Sequence, residues 1–536
     1  MKTRLRMIAA LAAPLPILAL AAAPASASPP APELTRVTLT SDVVAAATPA
    51  ARIGAVAPDT RLSLEISLVP RNQADLDAFI ASVSDPSSKT YEHYLTVAQF
   101  AANYGASAKT IAATTSYLKA EGLSVGAVTA NHLTLAAEGT AAQAEAAFGV
   151  SLGTYRGSAG SDFYANAAAP SLPAAIAADV DGVAGLSDEH QLTHSPVSAQ
   201  PLVTPKTSSD LTPVMVRGAY NLATPIKSGY TGAGETVGLV EFSSYTASDV
   251  AEYNVSYSLG ASAATVVKVD GGTTDNSGET EDDLDIEVTY ALAPGAKVNV
   301  YEAPNTDAGE VALYAALVSN DVPIVSSSWG EPESEEDNLT SDDADFKEAA
   351  AQGQSVYATA GSPTADDNGS SVSVLYPGSD PYVTGVGCTN LTVGAGNTYG
   401  TETADSQCGY GTSAEWHTPS YQTEVNSGSY RETPDVAVNA GASWRIYTEG
   451  EWTEVLGGSL TPMQWAAFTA DYDTAAADLG KAKFGYANPF IYSVAESSNY
   501  HTAFHDITAG TGAGTGFDLA TGWGSFNGGG FIADEL

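Results

Sequence analysis

Short apolar runs alternate with segments of helical spacing after residue 211, and this alternation restricts the possible folds more than any other feature. The apolar runs have the composition of buried strands: Val237–Phe242, Val298–Tyr301, Pro323–Ser327 and Ser355–Thr359. The segments between them have the spacing of helices: Glu281–Leu292, Glu310–Val318 and Asp345–Gln352. Parallel strands that are buried on both faces form continuous apolar runs and need long crossovers, most often helices. The pattern predicts an α/β fold with an open parallel sheet covered by helices on both faces.

A smaller α/β domain is predicted ahead of this sheet, within residues 28–190. Leu62–Leu68 alternates apolar and polar residues as a half-buried strand does, and His132–Ala137 is a second strand. Helical spacing occurs at three places: Asn72–Val83, Thr110–Glu121 and Ala141–Phe148. A polar, proline-bearing linker is predicted over residues 191–210. Residues 211–536 then form the second domain.

The N-terminus has the pattern of a secretory signal peptide, predicted over residues 1–27. Lys2, Arg4 and Arg6 precede an apolar run, and a small-residue motif ends at Ala27, where we expect cleavage. No later segment offers about 18 consecutive uncharged apolar residues, the length that a membrane span needs. The sequence therefore predicts a secreted, extracellular protein without a membrane anchor.

The chain is strongly acidic, with 62 Asp and Glu against 21 Lys and Arg and a formal net charge of −41. Nucleic-acid phosphates would repel such a chain, so nucleic acid is excluded as a partner. Two interpretations of the acidity remain open. One is solubility. The other is work at low pH, where protonation of the carboxylates removes most of the self-repulsion.

Cys388 and Cys408 are the only cysteines in the sequence. Outside the cell they would pair and close a loop of about 20 residues. Two free buried thiols are the alternative. The spacing of the two residues matches no cysteine motif for a metal.

An acidic run at Glu279–Glu287 is the strongest candidate for acid–base chemistry. It holds six acids within nine residues, and Glu281 and Asp285 are four apart, so they share one face of a helix. The alternative is that these acids only favour the start of a helix through its dipole. The histidines after residue 200 are His417, His501 and His505, and none has the context of a catalytic triad. A Ser-His-Asp mechanism is therefore disfavoured.

Motifs spread over most of the chain resemble the sedolisin family, the serine-carboxyl peptidases. The motifs that carry the resemblance are Asp85–Thr96, Tyr117–Leu123, Leu284–Val288, Ala293–Ala296, Ser327–Gly330, Tyr376–Thr384, Pro434–Val436 and Ala520–Gly524. The resemblance implies a subtilisin-like fold preceded by a propeptide that assists folding and acts as an intramolecular inhibitor. It also implies polypeptide substrates and activity at acidic pH.

The resemblance assigns roles to the carboxylates. Glu281 matches the general base and Asp285 matches the residue that orients it. Glu241 matches a further carboxylate of the relay, and Trp329 matches a tryptophan beside it. A glutamate in water has a pKa of about 4.3 and accepts a proton in acid, where a histidine would already be charged.

The nucleophile predicted by resemblance is Ser459, within Leu456–Ala467. Two residues are missing between the glycines and Pro462 relative to the family pattern, so Ser459 is displaced by one residue from either anchor. Gly411–Ser413 has the family tripeptide Gly-Thr-Ser but the wrong neighbours, which argues against Ser413 as the nucleophile.

Ser362 stands where the family has the aspartate that donates a hydrogen bond to the oxyanion. A hydroxyl can also donate, without needing a proton at low pH, so we expect Ser362 to retain this role in altered form.

The resemblance further implies one structural Ca²⁺ near the C-terminus. Asp506 and Asp518 would supply side-chain oxygens, and Ile507, Gly514 and Gly516 would supply carbonyl oxygens, an oxygen-only set that suits Ca²⁺.

Two hypotheses follow for the whole chain. The first is a secreted serine-type endopeptidase that acts on proteins at acidic pH through a Ser-Glu-Asp relay. The alternative is a catalytically inactive chain of the same fold that binds peptides or proteins. In either case we expect a monomer.

Overall fold

The fold is seen in a computed structural model that describes residues 35–536 except 40–42, 45, 158–159, 190, 195–196, 202–209, 337, 363–372 and 407. The predicted signal peptide and its cleavage site lie outside the described residues. Residues Arg36–Leu536 form one compact unit. None of the described helices is both long and apolar enough to cross a membrane.

The N-terminal part contains three small antiparallel sheets and four α-helices. Its elements are β1 Arg36–Thr38, β2 Arg52–Ala55, β3 Arg61–Leu68, α1 Gln73–Ser84, α2 Val97–Asn103, α3 Ala108–Ala120, β4 Ser124–Val128, β5 Thr134–Thr140, α4 Ala141–Phe148, β6 Leu152–Arg156, β7 Asp162–Asn166, β8 Ser171–Pro173 and β9 Val180–Ala184. The strand orders are β4-β5-β3-β9, β2-β6-β7 and β1-β8. Leu64, Ile66 and Phe148 lie in a core that belongs to this part alone.

The predicted elements of this part are all present. The strand predicted from Leu62 begins one residue earlier, and helix α4 has the predicted bounds because Thr140 caps it in a reciprocal box with Gln143. Asn72 stands at the N-cap of α1 but has a left-handed φ of 55° and makes no capping bond. Its side-chain amide instead donates to the Asn103 carbonyl oxygen at 3.1 Å.

The predicted linker is partly regular. It contains β10 Thr193–His194 and β11 Val197–Pro201, each of which adds an outer strand to a sheet of the C-terminal part. Residues 195–196 and 202–209 of the linker are outside the described residues.

The C-terminal part contains the main sheet and most of the helices. Its elements are α5 Pro213–Ala219, α6 Ala223–Lys227, β12 Thr236–Glu241, α7 Ala247–Ser256, β13 Thr265–Lys268, α8 Glu279–Leu292, β14 Lys297–Glu302, α9 Asp307–Ser319, β15 Ile324–Ser327, β16 Trp329–Pro332, α10 Leu339–Gln352, β17 Ser355–Thr359, β18 Gly361–Ser362, β19 Ser373–Tyr376, β20 Thr384–Val393, β21 Tyr399–Ala404, β22 Gly411–His417, β23 Tyr430–Thr433, β24 Val436–Asn439, β25 Trp444–Thr448, β26 Glu451–Gly457, α11 Pro462–Leu479, α12 Ala487–Ala495, α13 Tyr500–Ala503, β27 Phe504–His505, β28 Ser525–Phe526 and α14 Gly528–Glu535.

The main sheet has eight strands in the order β13-β14-β12-β15-β17-β20-β21, with β24 also paired to β20. All pairs are parallel except β20 with β21. Ile324 and Tyr357 lie in a core with residues of α8 and α11, whereas Val325 and Val356 lie in a core with residues of α9 and α10. The predicted α/β fold, a parallel sheet with helices on both faces, is therefore confirmed.

A disulfide joins Cys388 on β20 to Cys408, at a sequence separation of 20. It fixes the loop that carries β21 to the sheet, and the alternative of two free thiols does not apply.

Candidate active site

Helix α8 begins where the chain packs closely against the end of β12. The backbone N–H of Gly278 donates to the Ser243 hydroxyl at 3.0 Å. A Cβ on Gly278 would lie 2.9 Å from Cβ of Ser243, so the close approach needs a glycine. Acids in the first turn favour this helix start through the helix dipole. From Glu281 onward the helix is buried, so its carboxylates face the interior.

Four buried carboxyl groups meet at the carboxyl end of β12, the edge of a parallel sheet where sites form. They are Glu241, Glu281, Asp282 and Asp285, each at most 1% exposed. The indole N–H of Trp329 donates to Glu241 at 2.8 Å. Burial raises the pKa of Glu241 to about 7, against hydrogen bonds from Asp282 and Trp329 that lower it. The four carboxyls therefore share protons with one another, because closely packed carboxylates cannot all be charged at once.

The pKa values of the two residues predicted for the relay are also raised. Burial raises the pKa of Glu281 well above its usual value, and the charge of Glu241 adds to this effect. The pKa of Asp285 is also raised well above its usual value, first by burial and then by the charges of Glu241 and Glu281. Both groups therefore hold protons more strongly in this form of the chain than they would in water.

Ser328 connects Asp285 to the turn that carries Ser459. Its hydroxyl lies 2.8 Å and 3.0 Å from the two Asp285 oxygens and 3.2 Å from the backbone carbonyl oxygen of Ser459. Sequence reasoning did not find this residue, although it stands beside Trp329 in the motif Ser327–Gly330.

Ser459 is fully buried in a single 3₁₀ turn, Gly458–Leu460, directly ahead of α11. Hydrogen bonding by Ser459, and less strongly by Ser328, lowers the pKa of Glu281 against the effect of burial. Neither Glu281 oxygen has a hydrogen bond of good geometry, so this contact is looser than that between Ser328 and Asp285. The structure thus brings the predicted nucleophile and base together. Such bonds often tighten only when substrate is bound.

The other two serines have different surroundings. The backbone of Ser362 pairs with Ser373 in β18 and β19, but its side chain is outside the described residues, so its oxyanion role stays a prediction. Ser413 is buried on β22, where its hydroxyl bonds to Glu333 and accepts the backbone N–H of Trp416 at 2.8 Å. This pattern gives Ser413 a structural role.

The linker crosses the carboxylate group. Strand β10 pairs antiparallel with β16, which places His194 opposite Trp329, and β11 pairs antiparallel with β26, which places Val197 opposite Gly457. His194 Nδ1 lies 3.5 Å from Oε2 of Glu281, and its ring meets the Trp329 ring edge-on at 5.3 Å. An extended segment of the chain therefore covers Glu281 as a bound peptide strand would.

Four of the five predicted calcium residues form two hydrogen-bonded pairs in one loop. The backbone N–H of Gly514 donates to Asp518 at 2.8 Å, and that of Gly516 donates to Asp506 at 3.0 Å. Gly516 has a φ of 73°, which a glycine adopts without strain. The two carboxylates thus face the same short stretch of backbone. This donor set consists of oxygens alone, and it fits Ca²⁺ by its chemistry.

These features define a class: an α/β protein with a parallel sheet and an N-terminal domain, in which a buried serine adjoins carboxylates. Comparison with known proteins identifies the family. The family described as Pro-kumamolisin, activation domain, matches residues 49–189. Kumamolisin of Bacillus sp. (strain MN-32) is 30% identical over 531 residues, which cover 88% of this chain and 91% of that protein.

Two further comparisons agree. Sedolisin of Pseudomonas sp. (strain 101) is 28% identical over 511 residues, covering 86% of this chain and 85% of that protein. The solved structure of Pseudomonas sedolisin (serine-carboxyl proteinase) complexed with two molecules of pseudo-iodotyrostatin matches with a TM-score of 0.54 and 26% identity, covering 61% of this chain and 98% of that one. The chain belongs to the sedolisin family of serine-carboxyl peptidases, and its N-terminal part contains the activation domain.

Proposed function

We propose that the chain is the secreted proenzyme of an endopeptidase that cleaves proteins at acidic pH. Residues 1–27 are the signal peptide, residues 28–190 the propeptide, residues 191–210 the linker and residues 211–536 the peptidase domain. The observation that carries this proposal is the burial of Ser459 beside Glu281. Ser328 joins the cluster of four carboxyls to the turn that carries Ser459, because its hydroxyl contacts both Asp285 and the Ser459 carbonyl oxygen.

The proposed reaction follows from these positions. Glu281 takes the proton of the Ser459 hydroxyl as its oxygen attacks the peptide carbonyl carbon. Glu281 then gives this proton to the leaving amine as the peptide bond breaks, and water releases the acyl group by the reverse path. Asp285 accepts the hydrogen bond of the Ser328 hydroxyl and holds Glu281 in place within the cluster of four carboxyls. Ser362 is the proposed oxyanion donor.

The raised pKa of Glu281 supports latency in the proenzyme. A general base must be free of its proton, and the covered Glu281 retains it because burial raises its pKa. Removal of the linker would hydrate the site and stabilise the carboxylate. The propeptide then inhibits in two ways, by occupying the cleft and by keeping the base protonated.

The proposal is tested by a shift to acid. The secreted full-length chain, purified at neutral pH, is brought to about pH 4, where Glu carboxylates titrate. We expect cleavage within residues 190–210, seen by gel and N-terminal sequencing, followed by digestion of a denatured protein. A chain that stays full length and digests nothing under these conditions would instead be the inactive peptide-binding alternative.

His194→Ala is expected to shift self-processing to higher pH. The contacts of His194 with Glu281 and Trp329 hold the linker over the site, so their loss should let acid release the linker under milder conditions. Loss of one such contact of about 1 kcal/mol corresponds to a shift of about 0.7 pH unit. The processed fraction is measured on gels across a pH series, with the exposed histidine variant His417→Ala as the matched control. An unchanged midpoint for His194→Ala would contradict this role of the linker contact.

The calcium site is proposed to stabilise the C-terminal loop. Asp506, Ile507, Gly514, Gly516 and Asp518 would hold one Ca²⁺, which supplies structural cross-linking and no chemistry.

Removal of Ca²⁺ is therefore expected to destabilise the chain. A ligand at about 100 times its Kd stabilises the folded state by about 2.7 kcal/mol. Chelation should lower the free energy of unfolding in urea by about this amount, and Asp518→Asn should lose most of the effect. Asp534→Asn, an exposed residue of α14 outside the loop, serves as the control. Equal responses of the Asp518 variant and the wild-type chain would argue against this site.

A further inference from the structure

A second group of buried carboxylates lies outside the proposed active site. Glu310 is in the first turn of α9, Glu336 is in the turn after β16, and Asp342 is in α10. One carboxylate oxygen from each lies within 4.8 Å of the others. The three side chains are 3%, 7% and 0% exposed, respectively. Three acids from three separate segments therefore converge in the interior.

These carboxylates lack partners for several of their oxygens. Glu310 Oε1, Glu336 Oε2 and both oxygens of Asp342 are buried without a hydrogen bond. No ion pair among the described residues involves any of the three. Asn338 provides the polar contacts, its backbone N–H donating to Glu336 at 2.5 Å and its amide to Glu310 at 3.5 Å. Buried unpaired charge of this density needs a counter-charge or protons.

A neighbouring hydroxyl provides a second and independent observation. Tyr376, at the end of β19, is 0% exposed and its hydroxyl has no hydrogen-bond partner. The Tyr376 ring lies 6.2 Å from that of Phe346 on α10, the helix that carries Asp342, and the backbone of Tyr376 is paired with Glu331 of β16. A buried polar oxygen without a partner therefore lies among the segments that carry the carboxylates.

The donor chemistry selects the cation. All the available donors are oxygens, which suit Ca²⁺ and Mg²⁺ and do not favour Zn²⁺ or copper. Calcium–oxygen distances of about 2.4 Å allow ligand oxygens on opposite sides of the ion to be about 4.8 Å apart, whereas Mg²⁺ at about 2.1 Å needs a tighter cage. The three oxygens lie within 4.8 Å of one another, which Ca²⁺ can bridge, and Ca²⁺ accepts irregular geometry more readily than Mg²⁺ does.

We propose that Glu310, Glu336 and Asp342 form a second divalent-cation site, one that takes Ca²⁺. The ion would tie α9 and α10 to the turn after β16, the strand that carries Trp329 and pairs with the linker. Asn338 also lines a small cavity together with Val183 and Ser187 of the N-terminal part, so the site adjoins the propeptide. The proposal does not depend on catalysis.

Calcium stoichiometry tests the proposal. The full-length chain, stripped with a chelator, is titrated with CaCl₂ at neutral pH by calorimetry, beside an Asp506→Asn/Asp518→Asn variant, a Glu336→Gln/Asp342→Asn variant and the combination of all four changes. We expect two ions for the wild-type chain, one for each double variant and none for the combination. Mg²⁺ should bind more weakly in the variant that lacks the C-terminal loop site.

Asp343→Asn is the matched control, because this adjacent carboxylate pairs with Lys347 at 2.8 Å and should leave the stoichiometry unchanged. The Glu336/Asp342 variant is checked for folding by circular dichroism. The Asp506/Asp518 variant keeps the three carboxylates of the cluster, so it tests the proposal whether or not the Glu336/Asp342 variant folds. If the Asp506/Asp518 variant binds no Ca²⁺ at millimolar concentration, the cluster holds protons alone and the proposal is overturned.

Discussion

Ser459→Ala is expected to abolish self-processing in acid and to lower kcat/KM on denatured protein on the order of 10⁶-fold, the scale seen when other serine peptidases lose their nucleophile. The hydroxyl is the only part removed, and the buried turn Gly458–Leu460 retains its backbone contacts, including the bond from Ser328 to the Ser459 carbonyl. The chain should therefore fold and remain full length. Processing is followed on gels, and activity is measured on denatured protein after the propeptide has been removed by another peptidase.

Glu281→Gln should match this loss, because an amide cannot accept the serine proton. The control is Ser413→Ala, the serine of the other Gly-Thr-Ser sequence, whose hydroxyl bonds to Glu333. This control should keep its activity and lose only some stability. The opposite result, with Ser459→Ala active and Ser413→Ala inactive, would reject Ser459 as the nucleophile.

The free energy of unfolding is expected to be highest near pH 4 and to fall between about pH 4 and pH 8. Burial raises the pKa of Glu65 to about 8, of Asp283 to about 8 and of Asp473 to about 7. In the unfolded chain these groups titrate near pH 4. In this interval the unfolded state releases protons that the folded state retains, so stability decreases as the pH rises.

Urea denaturation at successive pH values measures this slope, with Ser459→Ala used so that the chain stays intact in acid. Asp473→Asn should reduce the slope by up to about 1.4 kcal/mol per pH unit. The amide keeps the oxygen that accepts the Phe484 N–H at 2.8 Å. Asp478→Asn, at an exposed position on the same helix, is the matched control. A stability that is constant or rises toward pH 8 would contradict the expectation.

The sheet was predictable where strands are buried on both faces. The runs at β12, β14, β15 and β17 are continuous and apolar, and their predicted bounds differ from the structure by one residue at most. Strand β20 was not predicted because glycines and polar residues interrupt its apolar sequence. Helix α10 begins six residues before the predicted Asp345, at Leu339, because its first turns carry acids that are buried and look exposed in the sequence.

The candidate site was predictable only where its residues are close in sequence. The four-residue spacing of Glu281 and Asp285 fixes their common face on α8. Ser328 and His194 reach these carboxylates through the crossing of separate strands, which no local pattern reveals. Counting from the flanking glycines and from Pro462 predicts Ser459 to be one residue out of step with the family pattern, and a shift of one residue on a helix turns a side chain by about 100°. The 3₁₀ turn that holds it beside Glu281 could not be inferred from counting.

The pairing of the linker with β16 and β26 also bears on what happens to the chain after processing. Strands β10 and β11 are the outermost strands of their sheets, so their removal would leave one edge of β16 and one edge of β26 unpaired. Free edges readily pair with other extended chains, including those of a second molecule. The same edges that accept a peptide could then promote aggregation, and the retained linker would protect the protein from self-association until it is processed.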